Sequence, residues 1–181
     1  MRALVLLANG FEESEALSPV DVMRRAGIEV RLLSIGSERL VVSSHGISVL
    51  ADGLLSEEKG EYDLVMLPGG MPGSKNLDAS KEVKDLLIEA YNNNKWLAAI
   101  CAAPMVFGHL GFTKGRKVTI YPGFEDEMNG AIITGNQVER DHNIITGIGA
   151  GASFAFGLEI VKALLGEEVM INIKNQIKLL P

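Results

Sequence analysis

Trp96-Leu97-Ala98-Ala99-Ile100-Cys101-Ala102-Ala103-Pro104 reads as a strand that runs straight into the start of a helix. The short apolar run from Leu97 to Ile100 has the continuous character of a strand buried on both faces. It ends on Cys101, the only cysteine of the chain, and a helical pattern opens directly after it. Pro104 suits the first turn of that helix, where its missing N–H breaks no internal bond. A residue held between a central strand and a helix start occupies a sharp, often strained turn. This is the layout of the nucleophile elbow of α/β hydrolases, and Ala99, Ala102 and Ala103 are the small neighbours such a turn needs. A helix N-terminus favours negative charge, so the thiol is expected to have a lowered pKa. The competing reading makes Cys101 a small buried hydrophobe, as free cysteines commonly are.

On the N-terminal side of this stretch, Ser80 to Asn92 carries Val83, Leu86, Leu87 and Ala90 on one helical face. Before it, Asp63 to Leu67 is a second buried strand, ending at the turn Pro68-Gly69-Gly70-Met71-Pro72-Gly73. Further back the chain opens as β-α-β. Arg2 to Ala8 is a strand, Glu12 to Ala26 has helical spacing through Ala16, Val20 and Met23, Gly27 fits a C-cap, and Ile28 to Ile35 is the next strand. Val41 to Leu50 reads as a small hairpin added to the sheet around Ser43-Ser44-His45-Gly46. On the C-terminal side, Lys117 to Ile120, Ala131 to Thr134, Gln137 to Glu139 and Asn143 to Thr146 are short strand-like pieces. The glycine-rich run Gly147 to Ser153 then opens a helix over Phe154 to Leu165, and Glu167 to Lys174 forms one more helix or helical turn. Alternating strands and helices predict a single domain over residues 1–181, an α/β sandwich with a mostly parallel sheet covered on both faces. Sites in such sheets lie outside the carboxyl ends of the strands. The junctions Gly10 to Glu15, Gly69 to Gly73 and Cys101 all fall at those ends and are expected to converge.

The 181 residues are 47% hydrophobic and 22% charged, the balance of an ordinary soluble globular domain. One cysteine makes no internal disulfide, and no run approaches the roughly 20 apolar residues of a membrane span. The first eight residues are too short an apolar run for a signal peptide, so a cytoplasmic protein is expected. A formal charge of −6 without a basic cluster argues against nucleic acid as a partner.

Acids in a first helical turn complement its dipole, which accounts for Glu12 and Glu13. Glu15 differs, because its place relative to the apolar stripe points it inward over the strand ends. A protonated Glu15 can donate to a thiolate or an oxidised sulfur, which requires a raised pKa. Backbone N–H groups of Gly69, Gly70 and Ala102 are candidate oxyanion donors. A cysteine nucleophile usually takes a histidine base, and no such pair is apparent. His109 lies roughly 12 Å along the helix at 1.5 Å per residue, His142 falls in the turn Asp141-His142-Asn143, and His45 sits at the hairpin tip. Gly147-Ile148-Gly149-Ala150-Gly151 lacks the lysine of a P-loop and the context of a dinucleotide fingerprint, and reads as close packing of a helix start. No Cys/His metal spacing occurs, and neither metal nor cofactor is expected.

These motifs together make the chain resemble the ThiJ/PfpI superfamily, most closely its parkinsonism-associated deglycase (DJ-one) branch. The stretches that carry the resemblance are RALVLLANGFEESEA, PVDVMRRAGIEV, YDLVMLPGGMPGSKNL, AAICAAP and GAGASFAFGLEIV, which cover essentially the whole chain. The resemblance implies a flavodoxin-like fold, a homodimer, a reactive Cys101, a protonated partner at Glu15, and backbone stabilisation from Gly70 and Ala102. Members are described as cofactor-independent glyoxalases that turn methylglyoxal into lactate, as deglycases acting on early glycation adducts, and as redox-sensitive chaperones. The expected protein is a dimeric enzyme for small dicarbonyls or glycated groups. The alternative is a redox-sensing, chaperone-like stress protein whose cysteine is oxidised to a sulfinate. Tyr121 stands where human-like members carry a histidine before the proline, which leaves its hydroxyl as a hydrogen-bond donor. Ala102 stands where the protease branch has a histidine, which argues against proteolysis, and the His-x-Glu of class I glutamine amidotransferases is absent. His45 falls where the family often has a basic residue near the dimer contact, a candidate role across subunits.

Overall fold

The computed structural model describes residues 1–179. In order, the chain forms β1 (Arg2–Leu7), α1 (Glu13–Arg25), β2 (Glu29–Ser34), β3 (Leu40–Val42), β4 (Ser48–Leu50), β5 (Gly53–Leu54) and β6 (Leu64–Leu67). It continues with α2 (Gly73–Ala79), α3 (Lys81–Asn92), β7 (Trp96–Ile100), α4 (Pro104–His109), β8 (Lys117–Val118) and β9 (Ile132–Ile133). The last elements are β10 (Val138–Asp141), β11 (Ile144–Gly147), α5 (Ser153–Leu165) and α6 (Glu167–Gln176).

Seven strands make one sheet in the order β10-β11-β7-β6-β1-β2-β5. All neighbours are parallel except the β10–β11 hairpin, with Val5 opposite Met66, Met66 opposite Ala98, and Ala99 opposite Thr146. The strands are apolar throughout because both faces are covered. Val5 and Leu7 face the layer of α1, α5 and α6, while Leu4 and Leu6 face the layer of α2, α3 and α4. Helices α1 and α5 approach closely at Gly157, where a Cβ would stand 2.9 Å from Pro19 Cα, which explains a glycine in mid-helix. This is a flavodoxin-like α/β sandwich. Strand order reverses beside β1, so the carboxyl ends of β1, β6 and β7 open on the crevice where such folds place their chemistry.

One local expectation is corrected. The Val41–Leu50 hairpin is not part of the main sheet. It forms a separate β3–β4 ribbon because β5 takes the β2 edge, and it docks on the loop after β1 through Gly10 N–H to Val42 O (2.8 Å) and Ser44 N–H to Phe11 O (2.7 Å). The strand-like pieces within 117–120 and 131–134 do form strands, a short parallel pair β8–β9 apart from the main sheet. Helix α2 follows Pro72 directly and fills the stretch between the glycine turn and Ser80, to which the sequence reading assigned no element. No helix of the described residues is long and apolar enough to cross a membrane.

Candidate active site

Cys101 follows β7 directly, and its backbone is pinned from both sides. Its N–H donates to Gly147 O and its carbonyl accepts from Tyr121 N–H, each at 2.9 Å. Between these bonds its backbone adopts φ +63°, a left-handed conformation that costs a side-chain-bearing residue about 1–2 kcal/mol. Strain of this kind persists where the surroundings over-determine it, and it clusters at functional turns.

Glu15 reaches the same point from α1. Glu12 is the N-cap, its carboxylate accepting from the Glu15 N–H at 2.6 Å and the Ser14 hydroxyl at 2.8 Å, which fixes the first turn. Glu15 is then buried, with 1% of its surface exposed, against Cys101 and Gly69. Its Oε2 is enclosed without a formed hydrogen bond among the described residues. From β6 come the glycines. A Cβ on Gly69 would lie 2.6 Å from Cys101 Cβ and 2.9 Å from Ile100 O, so only glycine lets the turn pass between acid and thiol. The three junctions therefore do meet. The Gly70 and Ala102 N–H groups face the sulfur, whereas the Gly69 amide faces the Glu15 carboxyl.

Burial pushes the Glu15 carboxyl from 4.5 up to about 7, against the pull of its hydrogen bond to Cys101, and the charge of Glu12 adds to the rise. Burial likewise pushes the Cys101 thiol up to about 12, with the Glu15 charge and hydrogen bond reinforcing it and the Ala102 and Gly70 N–H groups opposing. The lowered thiol pKa expected from the helix start is thus corrected. Helix α4 is only six residues long and begins at Pro104, and two backbone N–H groups do not outweigh burial next to a carboxylate. The two groups titrate as a pair. When Glu15 takes a proton, the part of the rise that comes from its charge is gone and burial remains.

Gly70 sits at φ +89°, and a Cβ there would come 2.7 Å from Gly10 O and from Phe11 C, both backbone. Gly70→Ala is expected to cost about 3 kcal/mol or more, because neither the conformation nor the neighbours can yield. Urea unfolding with a loss below about 1 kcal/mol would show that the loop relaxes.

Tyr121 places its ring, 49% exposed, beside the turn, and its contact with Cys101 is through the backbone. His45 does not reach Cys101 in this chain; its Nδ1 pairs with Glu13 Oε1 at 2.9 Å and ties the hairpin to α1. His109 is held by Asp78 and Glu127, and His142 pairs with Asp141 in the β10–β11 turn. Among the described residues one group has donor atoms close enough for a metal ion, Glu12, Glu13 and His45, all within 4.8 Å. The cap of α1 and the Glu13–His45 pair already account for that cluster. Sequence reasoning assigned Glu12 and Glu13 only to the helix dipole. The signal for the cap was Glu12 standing three residues before Glu15, while the Glu13–His45 contact spans 32 positions and left no local trace.

The fold and the site define a class: a flavodoxin-like domain with a cysteine on a strained strand-to-helix elbow, faced by a buried carboxyl and two backbone N–H groups. The chain belongs to the DJ-1/PfpI family, whose sequence pattern matches residues 1–163. It is 40% identical over 178 residues to the Parkinson disease protein 7 homolog of Danio rerio, covering 96% of this chain and 94% of that protein. The oxidised Toxoplasma gondii DJ-1 structure superimposes with a TM-score of 0.93 at 34% identity, over 97% of each chain. Drosophila melanogaster DJ-1beta superimposes with a TM-score of 0.92 at 34% identity, over 97% of this chain and 96% of that one.

Proposed function

We propose that the protein is a cofactor-independent enzyme that converts small α-dicarbonyls such as methylglyoxal to 2-hydroxy acids, and acts by the same chemistry on early glycation adducts. The observation that carries this reading is the Glu15 carboxyl, raised to about 7 and set against the Cys101 thiol with one oxygen unpartnered. A base of that pKa works in both directions at neutral pH. The Glu15 carboxylate takes the thiol proton as Sγ adds to the aldehyde carbon, and returns it to the new oxyanion, which the Gly70 and Ala102 N–H groups hold. It next removes the hydrogen of that carbon as a proton while the ketone oxygen takes up the hydroxyl proton, and the resulting enediolate is reprotonated by Glu15 on the former ketone carbon, leaving a thioester of lactate. Water cleaves the thioester, Cys101 regains its proton, and methylglyoxal plus water has become lactic acid with no outside oxidant. Since no histidine assists, turnover is expected to be slow.

A homodimer belongs to the same proposal. Leu40, Val42, Ile47 and Leu50 of the β3–β4 ribbon are 52%, 40%, 49% and 64% exposed, apolar surface that a second copy would cover. A sedimentation mass of one 19.5 kDa chain would remove it.

The test is lactate formation from methylglyoxal by the purified, reduced protein. Lactate above a protein-free control is expected. No lactate, from a protein whose thiol is oxidised to sulfinate by low peroxide, would transfer the site to redox sensing.

A further inference from the structure

Strand β1 has β6 on one side and β2 on the other, and the carboxyl ends of β1 and β2 open on a second crevice. A cavity of about 330 Å³ lies there, walled by the loops after β1 and β2, the ribbon and α2. None of Cys101, Glu15, Gly69, Gly70 or Ala102 lines it. Three of its polar side chains are already oriented by the backbone. Asn9 Oδ1 accepts from the Val42 N–H at 2.9 Å, which leaves its amide nitrogen as a donor. Asn76 Nδ2 donates to Asn9 O at 2.9 Å, which leaves its amide oxygen as an acceptor. Ser34 is 3% exposed, and its Oγ accepts from the Gly36 N–H at 3.2 Å, so its hydroxyl hydrogen is free to be given. Ser37 and Glu38 complete the polar wall. Donor and acceptor directions are thus set before a ligand arrives.

This set discriminates between ligand chemistries. No lysine, arginine or histidine lines the cavity, and Glu38 adds a negative charge, so an anion is disfavoured. A cation would meet the Asn9 and Ser34 donors. A sugar hydroxyl both donates and accepts, and a carboxylate can take two neighbouring hydroxyls at once. In dinucleotide-binding folds an acid further along the chain holds the ribose hydroxyl, and the phosphates lie on the N-terminus of the first helix. Here that terminus is taken, since the Glu12 carboxylate accepts from the Glu15 N–H at 2.6 Å. We infer that this cavity binds a neutral ring with vicinal hydroxyls, a free sugar or the ribose of a nucleoside. Glu38 and the Asn76 oxygen accept from the hydroxyls, while Asn9 and Ser34 donate to them. The volume stands at the low end of small-molecule pockets, roughly 300–1,000 Å³, which suits one ring and not a dinucleotide.

The test is a titration of the isotope-labelled full chain with adenosine and with methyl ribofuranoside, followed amide by amide. Each ligand is paired with its dideoxy counterpart, which lacks the diol. Saturable shifts centred on residues 8–9, 34–38 and 76 are expected, with a Kd of about 1 mM or tighter. Binding of the riboside makes this a free-sugar site, and binding of adenosine alone makes it a nucleoside site. The dideoxy counterpart should bind about tenfold more weakly or worse, because polar groups of the site lose their partners. Glu38→Ala should weaken binding about tenfold and, at an exposed loop position, leave the melting temperature unchanged. Cys101→Ser should bind as wild type does. No shifts from either ligand up to about 10 mM would overturn the site. So would a dideoxy counterpart that binds equally well, or full affinity in Glu38→Ala. Shifts centred on residues 100–103 that vanish in Cys101→Ser would move the ligand to the elbow and overturn it too.

Discussion

Cys101→Ser is expected to reduce lactate formation from methylglyoxal by about a thousandfold or more while leaving the protein folded. The substitution changes one atom at a partly exposed position, and serine fits the same turn, so thermal stability should move by less than about 1 kcal/mol. The chemistry does not survive the change. A serine hydroxyl is far less acidic than even the raised Cys101 thiol, and a carboxylate of pKa about 7 cannot share its proton usefully. Histidine rescue is closed as well, because His45, His109 and His142 are each engaged by a carboxylate away from the elbow. Activity within tenfold of wild type in the serine variant would place the nucleophile elsewhere and end the proposed mechanism. Loss of activity together with a fall in melting temperature of more than a few degrees would instead point to damage at the turn.

How much of this could be read from the chain follows from the range of each interaction. The buried strands were legible because covering both faces of a parallel sheet demands near-continuous apolar runs, and Leu64–Leu67 and Trp96–Ile100 obey. The elbow was legible because Cys101, the small residues around it and Pro104 are neighbours in sequence. Glu15 could be picked out from Glu12 and Glu13 by its position on the α1 stripe alone. The thiol pKa could not, since it is decided by how deeply β6 and α1 bury the sulfur, a property of packing with no sequence period. Nor could the ribbon be placed, because the choice between β3–β4 and β5 for the β2 edge turns on backbone bonds from Gly10 and Ser44. The Tyr121 contact joins positions 20 residues apart through main-chain atoms, to which side-chain pattern is blind.

Glu15 carries the second large expectation, and here stability and function are set against each other. Its carboxyl has an ordinary value of 4.5 in the unfolded chain and about 7 in the native one, so between those values the folded state binds more protons than the unfolded state. Stability must therefore fall as pH rises from about 4.5 to about 7, by roughly 3 kcal/mol at 1.36 kcal/mol per pK unit. Glu15→Gln removes the charge that has to be buried, at the cost of about 1 kcal/mol for an amide with incomplete hydrogen bonding. The variant is expected to match wild type near pH 5 and to exceed it by about 2 kcal/mol at pH 8, a rise of roughly 4–8 °C in melting temperature. The same variant should lose turnover by about a hundredfold or more, since an amide neither accepts the thiol proton nor carries one between two carbons. Calorimetry at the two pH values with a parallel lactate assay checks both halves. A wild-type stability that is flat from pH 5 to pH 8 would mean that Glu15 is not held in a charge-excluding site. A glutamine variant with full activity would mean that the proton is moved by another group. Gain of stability with loss of turnover is the outcome that identifies Glu15 as a group kept in an unfavourable place for its chemistry.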